Sequence, residues 1–126
     1  MARKKILIVD DDPMSRKLAR DVLQANGYDT EEVFNGEEAV TRAAQTRPEL
    51  IVMDIRLPGI DGLEATRRLK GDAATAGIPI IAVTAHAMSG DEEKALAAGC
   101  QVYLTKPLRF REFVSVVRTL LGDTAI

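Results

Sequence analysis

Four apolar residues, Leu50-Ile51-Val52-Met53, run straight into a carboxylate, Asp54, and the turn pair Pro58-Gly59 follows. A continuous apolar run bounded by turn signals is the pattern of a strand covered on both faces, and such strands belong to parallel sheets. Asp54 then stands at the C-terminal end of its strand, the edge at which open α/β sheets bind ligands. Ile6-Leu7-Ile8-Val9 repeats the pattern and ends in Asp10-Asp11-Asp12. Pro79-Ile80-Ile81-Ala82-Val83 repeats it again and ends in Thr84.

Helical patterns separate these runs. Asp12 is a fair N-cap and Pro13 suits a first helical turn. Met14, Leu18, Val22 and Ala25 then recur at helical spacing, and Asn26-Gly27 closes the helix. Residues 28–34 read as a strand, but Asp29, Glu31 and Glu32 place it at a sheet edge. Asn35-Gly36 is a turn. A helix over 37–46 follows, with Ala39, Val40, Ala43 and Ala44 facing inward, and Arg47-Pro48 ends it. Beyond Asp54, residues 58–62 are a loop, and 63–69 a helix with Leu63, Thr66 and Leu69 on one side. Residues 71–77 read as a surface loop and 85–90 as a connection. A helix over 91–98 is capped by Gly99, and residues 102–105 form a last strand before Lys106-Pro107. Phe113, Val116, Val117 and Leu120 mark a final helix, stopped by Gly122. Strand and helix alternate five times, which predicts an α/β fold with a parallel sheet and helices on both faces.

The length, 126 residues, fits one domain over 1–126 with its core at about 5–121, and 46% apolar residues suffice for that core. A net charge of −2 argues against direct nucleic-acid binding, which calls for a basic face. Cys100 is the only cysteine, so no internal disulfide forms and a reducing cytosol suits the chain. No apolar run approaches the ~20 residues of a membrane span. The basic start at Arg3, Lys4 and Lys5 is followed by too short an apolar run for a signal peptide. A cytoplasmic protein without membrane insertion is expected.

In a parallel sheet Asp10, Asp11, Asp54, Thr84 and Lys106 all lie along one edge. If the first strand is central and next to the third, a crevice forms there. Carboxylates so close repel unless their pKa values rise or a cation joins them. Mg²⁺ takes oxygen ligands, few of them carboxylates, and keeps several waters. Asp11 and Asp54 would bind it directly, Asp10 through a water, and the Arg56 backbone carbonyl would add another oxygen. A carboxylate beside such an ion can be a nucleophile and form an acyl phosphate. The metal and Lys106 would neutralise the transferring oxygens, and the Thr84 hydroxyl would donate to one. Singly, the aspartates read as helix caps, Thr84 as a strand-end hydroxyl and Lys106 as a solvated lysine. Five such residues at four strand ends favour phosphoryl chemistry.

The pieces Ile6-Leu7-Ile8-Val9-Asp10-Asp11, Val52-Met53-Asp54 with Pro58-Gly59 and Gly62, Val83-Thr84-Ala85, and Tyr103-Leu104-Thr105-Lys106-Pro107 carry a resemblance. Over about residues 5–121 the chain resembles the receiver domain of two-component response regulators. The resemblance implies a flavodoxin-like receiver fold, a five-stranded sheet in the order 2-1-3-4-5 flanked by five helices. It implies that Asp54 is the phosphoacceptor, and that Asp10, Asp11, Asp54 and the Arg56 carbonyl hold Mg²⁺. Lys106 would bind phosphate, Thr84 and Tyr103 would form a switch pair, and Lys106-Pro107 would be a cis peptide. The phosphoryl group would come from a histidine on a sensor kinase or phosphotransfer protein. In-line hydrolysis would reset the switch, with Arg56 and His86 flanking the water. Such a protein is a signalling switch that assists its own phosphorylation and dephosphorylation, not an enzyme.

Two surfaces are expected. The fourth helix, last strand and last helix, with Tyr103, Arg109, Arg111 and Arg118, would face a downstream target; those arginines also suit a solvated helix face. Met14, Leu18, Pro107 and Leu108 would form an apolar patch for the kinase. The chain would act as a stand-alone receiver, a monomer or a weak phosphorylation-dependent dimer. Two rival readings stand beside this. Asp10-Asp11-Asp12 resembles the nucleophile motif of haloacid-dehalogenase-type phosphatases, with Asp10 attacked and Asp12 the general acid. The other rival is a binding module that takes no phosphate.

Overall fold

The computed structural model describes residues 3–85 and 88–123. The elements are β1 (Lys5–Val9), α1 (Pro13–Ala25), β2 (Asp29–Val33), α2 (Gly36–Thr46), β3 (Leu50–Asp54), α3 (Gly62–Gly71), β4 (Ile80–Thr84), α4 (Asp91–Ala98), β5 (Val102–Thr105) and α5 (Phe110–Leu121). All strand pairs are parallel, in the order β2-β1-β3-β4-β5. This is the expected fold.

Alternate residues of each strand point to opposite faces. Leu7, Val9, Ile51, Met53, Ile80 and Ala82 meet Ala39, Ala43, Leu63, Leu69 and Ala95 from α2, α3 and α4. Ile6, Ile8, Leu50, Val52, Ile81 and Val83 meet Ala19, Leu23, Phe113 and Val117 from α1 and α5. Every residue of β3 and β4 is buried, and each large apolar side chain so placed contributes ~1.5–3 kcal/mol. The polar β2 lies at the edge, as its charges require. Glu31 pairs with Lys5 at 3.6 Å, and Glu32 with Arg16 at 3.5 Å and Arg20 at 3.3 Å.

Two local expectations are corrected. The buried stripe of α1 runs through Ala19 and Leu23, while Met14 and Leu18 are 63% and 46% exposed and Ala25 is exposed. The helix starts at Pro13 behind its Asp12 cap, which turns Ala19 inward and the larger Leu18 outward. In α2, Ala39 and Ala43 are buried and Val40 packs against them, but Ala44 is exposed, one step round the helix from Ala43. The segment after α3 is a surface loop, as expected, with residues 71–74 and Gly77 exposed, and it is pinned to the fold by two side chains. The buried Thr75 hydroxyl donates to the Leu69 carbonyl at 2.6 Å, and Lys70 Nζ donates to the carbonyls of Ala76 (3.1 Å) and Ile78 (2.6 Å).

Register places the site. Val9 pairs with Met53, Asp54 with Val83, and Thr84 with Thr105, so Asp10, Asp54, Thr84 and Lys106 leave the sheet side by side. Gly62 allows α3 to begin against the end of β3. Its N–H donates to the Ile55 carbonyl at 2.9 Å, and any Cβ there would clash with the Asp54 carbonyl oxygen and the Ile55 Cα.

Candidate functional site

Asp10 follows β1, and its backbone N–H is tied to the Val33 carbonyl at 3.2 Å. Its Oδ1 accepts from the Asp12 N–H at 2.9 Å, and its Oδ2 from Lys106 Nζ at 2.7 Å. Asp54 ends β3; its Oδ1 accepts from the Arg56 N–H at 2.9 Å and its Oδ2 from Lys106 Nζ at 3.1 Å. Both aspartates are 6% exposed, whereas Asp11 is exposed. Ligand oxygens of Asp10, Asp11 and Asp54 lie within 4.8 Å of one another. Lys106 is fixed at its root as well, since its backbone N–H donates to the Thr84 carbonyl at 2.8 Å. Thr84 itself is fully buried at the end of β4.

The electrostatics follow from this packing. Burial pushes the Asp54 carboxyl above its ordinary value and Asp10 adds to the rise, while the Arg56 N–H and Lys106 pull the other way. Burial alone would lower the Lys106 ammonium, but the carboxylates of Asp10 and Asp54 carry it above its usual value. Three carboxylates against one ammonium leave the cluster negative. An all-oxygen donor set of this kind suits a hard divalent cation, so Asp10, Asp11 and Asp54 can hold a metal.

The remaining expected residues fall close by. Arg56 lines the same crevice as Asp11, together with Met88, Asp91 and Lys94. Tyr103 pairs with Ala82 and packs against the core under α4. Its hydroxyl is buried and has no hydrogen-bond partner among the described residues. Lys106-Pro107 is a cis peptide, as expected. His86 lies outside the described residues. Leu18, Pro107 and Leu108 line a cleft of about 360 Å³ whose polar end holds Asp10, Asp54 and Lys106, and Met14 stands exposed one turn before Leu18. Arg118 is not on the face expected for it: it donates to Asn26 Oδ1 at 3.1 Å and so lies over the end of α1.

Two residues escaped the sequence reading. Ser15 lines the cleft and accepts from Lys106 Nζ at 3.3 Å. Phe110, 47% exposed, lines the cleft beside Leu108. Ser15 lies four residues before Ala19 and eight before Leu23, on the true inward stripe, so a correct phase for α1 finds it.

Residues 6–118 match the family model of the response regulator receiver domain. The chain belongs to this family. The receiver is 46% identical over 120 residues to the polar-differentiation response regulator DivK of Brucella anthropi, covering 95% of this chain and 98% of that one. Among solved structures it is similar to a putative response regulator from Chloroflexus aurantiacus, with TM-score 0.92, 31% identity and coverage of 96% and 99%. It is also similar to the receiver domain of a Pseudomonas aeruginosa sensor histidine kinase, with TM-score 0.89, 37% identity and the same coverage. That structure holds a magnesium ion in its active site cleft. The receiver is therefore a phosphoryl-accepting component of two-component signalling and not a conventional enzyme. Among the described residues no helix is long and apolar enough to cross a membrane.

Proposed function

We propose that Asp54 accepts a phosphoryl group from a histidine of a partner kinase or phosphotransfer protein. One observation carries this reading: the buried Asp54 carboxylate lies 3.1 Å from Lys106 Nζ, with Asp10 and Asp11 within 4.8 Å. An Asp54 oxygen forms the new O–P bond as the P–N bond of the phosphohistidine breaks, and the electron pair returns to the imidazole. Lys106 neutralises the phosphoryl oxygens, and the Thr84 hydroxyl donates to one of them. Asp10, Asp11, Asp54 and the Arg56 carbonyl would hold Mg²⁺, which when bound supplies positive charge against the phosphoryl oxygens. Thr84 and Tyr103 act as the switch pair, and hydrolysis of the aspartyl phosphate resets it. Met14, Leu18, Pro107 and Leu108 dock the partner. We read the whole chain as one cytoplasmic receiver domain, a monomer or weak dimer that signals by protein contact.

The phosphatase alternative is disfavoured by the geometry. The general acid it needs, Asp12, is committed to capping α1 through Met14 N–H at 3.2 Å and the Ser15 hydroxyl at 2.9 Å. The Ser15 and Met14 hydrogen bonds hold the Asp12 carboxyl below its ordinary value, the wrong direction for a general acid. Labelling with acetyl phosphate, followed by mapping of the phosphoaspartate, tests the proposal. Label on Asp54, abolished by Asp54→Asn, is expected; label on Asp10 supports the phosphatase, and no label supports the pure binding module.

A further inference from the structure

An ammonium group has three N–H donors, and Lys106 directs them to Asp10 at 2.7 Å, Asp54 at 3.1 Å and Ser15 Oγ at 3.3 Å. The first two acceptors are charged and belong to the reacting centre. The third is neutral and belongs to the first turn of α1. Ser15 in turn donates its hydroxyl proton to Asp12 Oδ2 at 2.9 Å, while Asp12 Oδ1 caps the helix at the Met14 N–H. With its proton committed to Asp12, the Ser15 oxygen presents lone pairs to Lys106 and can act there only as an acceptor.

We infer that Ser15 is a positioning residue for Lys106, and that Asp12 sets the direction of the hydroxyl that does the positioning. The inference rests on the proposed phosphorylation of Asp54 and deepens it. When a phosphoryl group arrives, Lys106 must exchange a carboxylate contact for a phosphoryl oxygen. The contact to Ser15 need not break, so the ammonium turns about a fixed neutral anchor and stays over the acceptor. Without that anchor the third N–H turns to water or doubles up on Asp10, and the group spends less time where the new charge develops. An ordinary polar residue in a first helical turn would have no such tie to a lysine 91 positions away.

The test uses the whole chain, acetyl phosphate as donor, and wild type labelled at Asp54 as reference. Ser15→Ala should slow phosphorylation about three- to tenfold, the worth of one modest hydrogen bond in the transition state. Ser15→Thr, which keeps the hydroxyl, should restore the rate to within about twofold. Asp12→Asn should slow the reaction in the wild-type background and add nothing in Ser15→Ala, because both changes break one chain of contacts. A metal-free measurement reads the anchor directly: the Lys106 side-chain ammonium resonance should shift or broaden in Ser15→Ala and return in Ser15→Thr. Wild-type rate in Ser15→Ala, failure of threonine to restore it, or multiplicative effects of the two substitutions overturns the inference and leaves the phosphorylation reading standing. Absence of label on wild-type Asp54 overturns both.

Discussion

Burial leaves Asp54 with little water, and the neighbouring Asp10 carboxylate opposes its ionisation further. Its carboxyl therefore binds a proton more tightly in the folded chain than in the unfolded one. Such a group lowers stability at neutral pH, and the penalty disappears as pH falls below the ordinary carboxylate value of about 4. Asp54→Asn should raise the melting temperature at pH 7 in EDTA by roughly 3–6 °C. The gain should shrink toward zero in melts below about pH 4, and an unchanged melting temperature at pH 7 would count against the assigned environment. Lys106 works in the opposite sense. Its raised pKa means that its stabilising contribution is present at neutral pH and is lost only as pH rises through its folded-state value. Lys106→Met strands two buried carboxylates. It should cost about 1–3 kcal/mol in urea denaturation at pH 7, below the full cost of breaking a buried pair because the lysine keeps partial solvent access. Labelling by acetyl phosphate should fall about a hundredfold or more in the same variant.

Elements carry these side chains to one place, and the joint between β3 and α3 is the tightest of them. Gly62→Ala drives a methyl group into the Asp54 carbonyl and the Ile55 Cα, both backbone atoms that cannot turn aside. It should destabilise by about 2–3 kcal/mol and slow phosphorylation by displacing the end of β3. Gly77→Ala is the matched control: its new methyl meets open space, so stability should stay level or rise by about 0.4–1 kcal/mol. Equal effects in urea denaturation would refute this account of the joint. The cleft between α1 and the start of α5 gives a kinetic prediction. Met14→Asp with Leu108→Asp should slow transfer from the cognate kinase about tenfold or more while sparing acetyl-phosphate labelling. If both routes are unchanged, the patch plays no part in docking. Sequence pattern served unequally across these elements. Strands β1, β3 and β4 were legible because a strand buried on both faces reads as an unbroken apolar run, with its polar residue only at one end: Lys5, Asp54 and Thr84. Helix α1 was legible only in part: Met14 and Leu18 stand exposed, as a docking patch requires, but the inward stripe of Ser15, Ala19 and Leu23 is not the one that the spacing of Met14, Leu18, Val22 and Ala25 suggests. At Leu18 and Ala19 size and burial part company, since the leucine is exposed and the alanine buried.

At the scale of the whole molecule, the sheet sends its polar strand ends to a single edge. The position of Asp10, Asp11, Asp54, Thr84 and Lys106 was legible, because the C-terminal end of a parallel strand is fixed once the strand is recognised. Their mutual bonding was not: which oxygen of Asp10 meets Lys106, and that Ser15 completes the set, depends on helix phase and rotamer. The edge that results gathers three carboxylates within 4.8 Å against one ammonium, a concentration of charge that the rest of the fold must hold together. A divalent cation that binds only the folded chain relieves this strain and stabilises by mass action, about 2.7 kcal/mol at one hundred times its dissociation constant. Titrating magnesium into the metal-free protein should therefore raise the melting temperature in a saturable way. Asp11→Asn should remove most of that increment, and since Asp11 is exposed, it should leave the metal-free melting temperature close to wild type. The same titration should close the gap that separates Asp54→Asn from wild type, because magnesium rescues the protein that has the carboxylate and has less to offer the one that lacks it. A magnesium increment of equal size in all three proteins would place the ion elsewhere and remove the acidic edge from the chemistry.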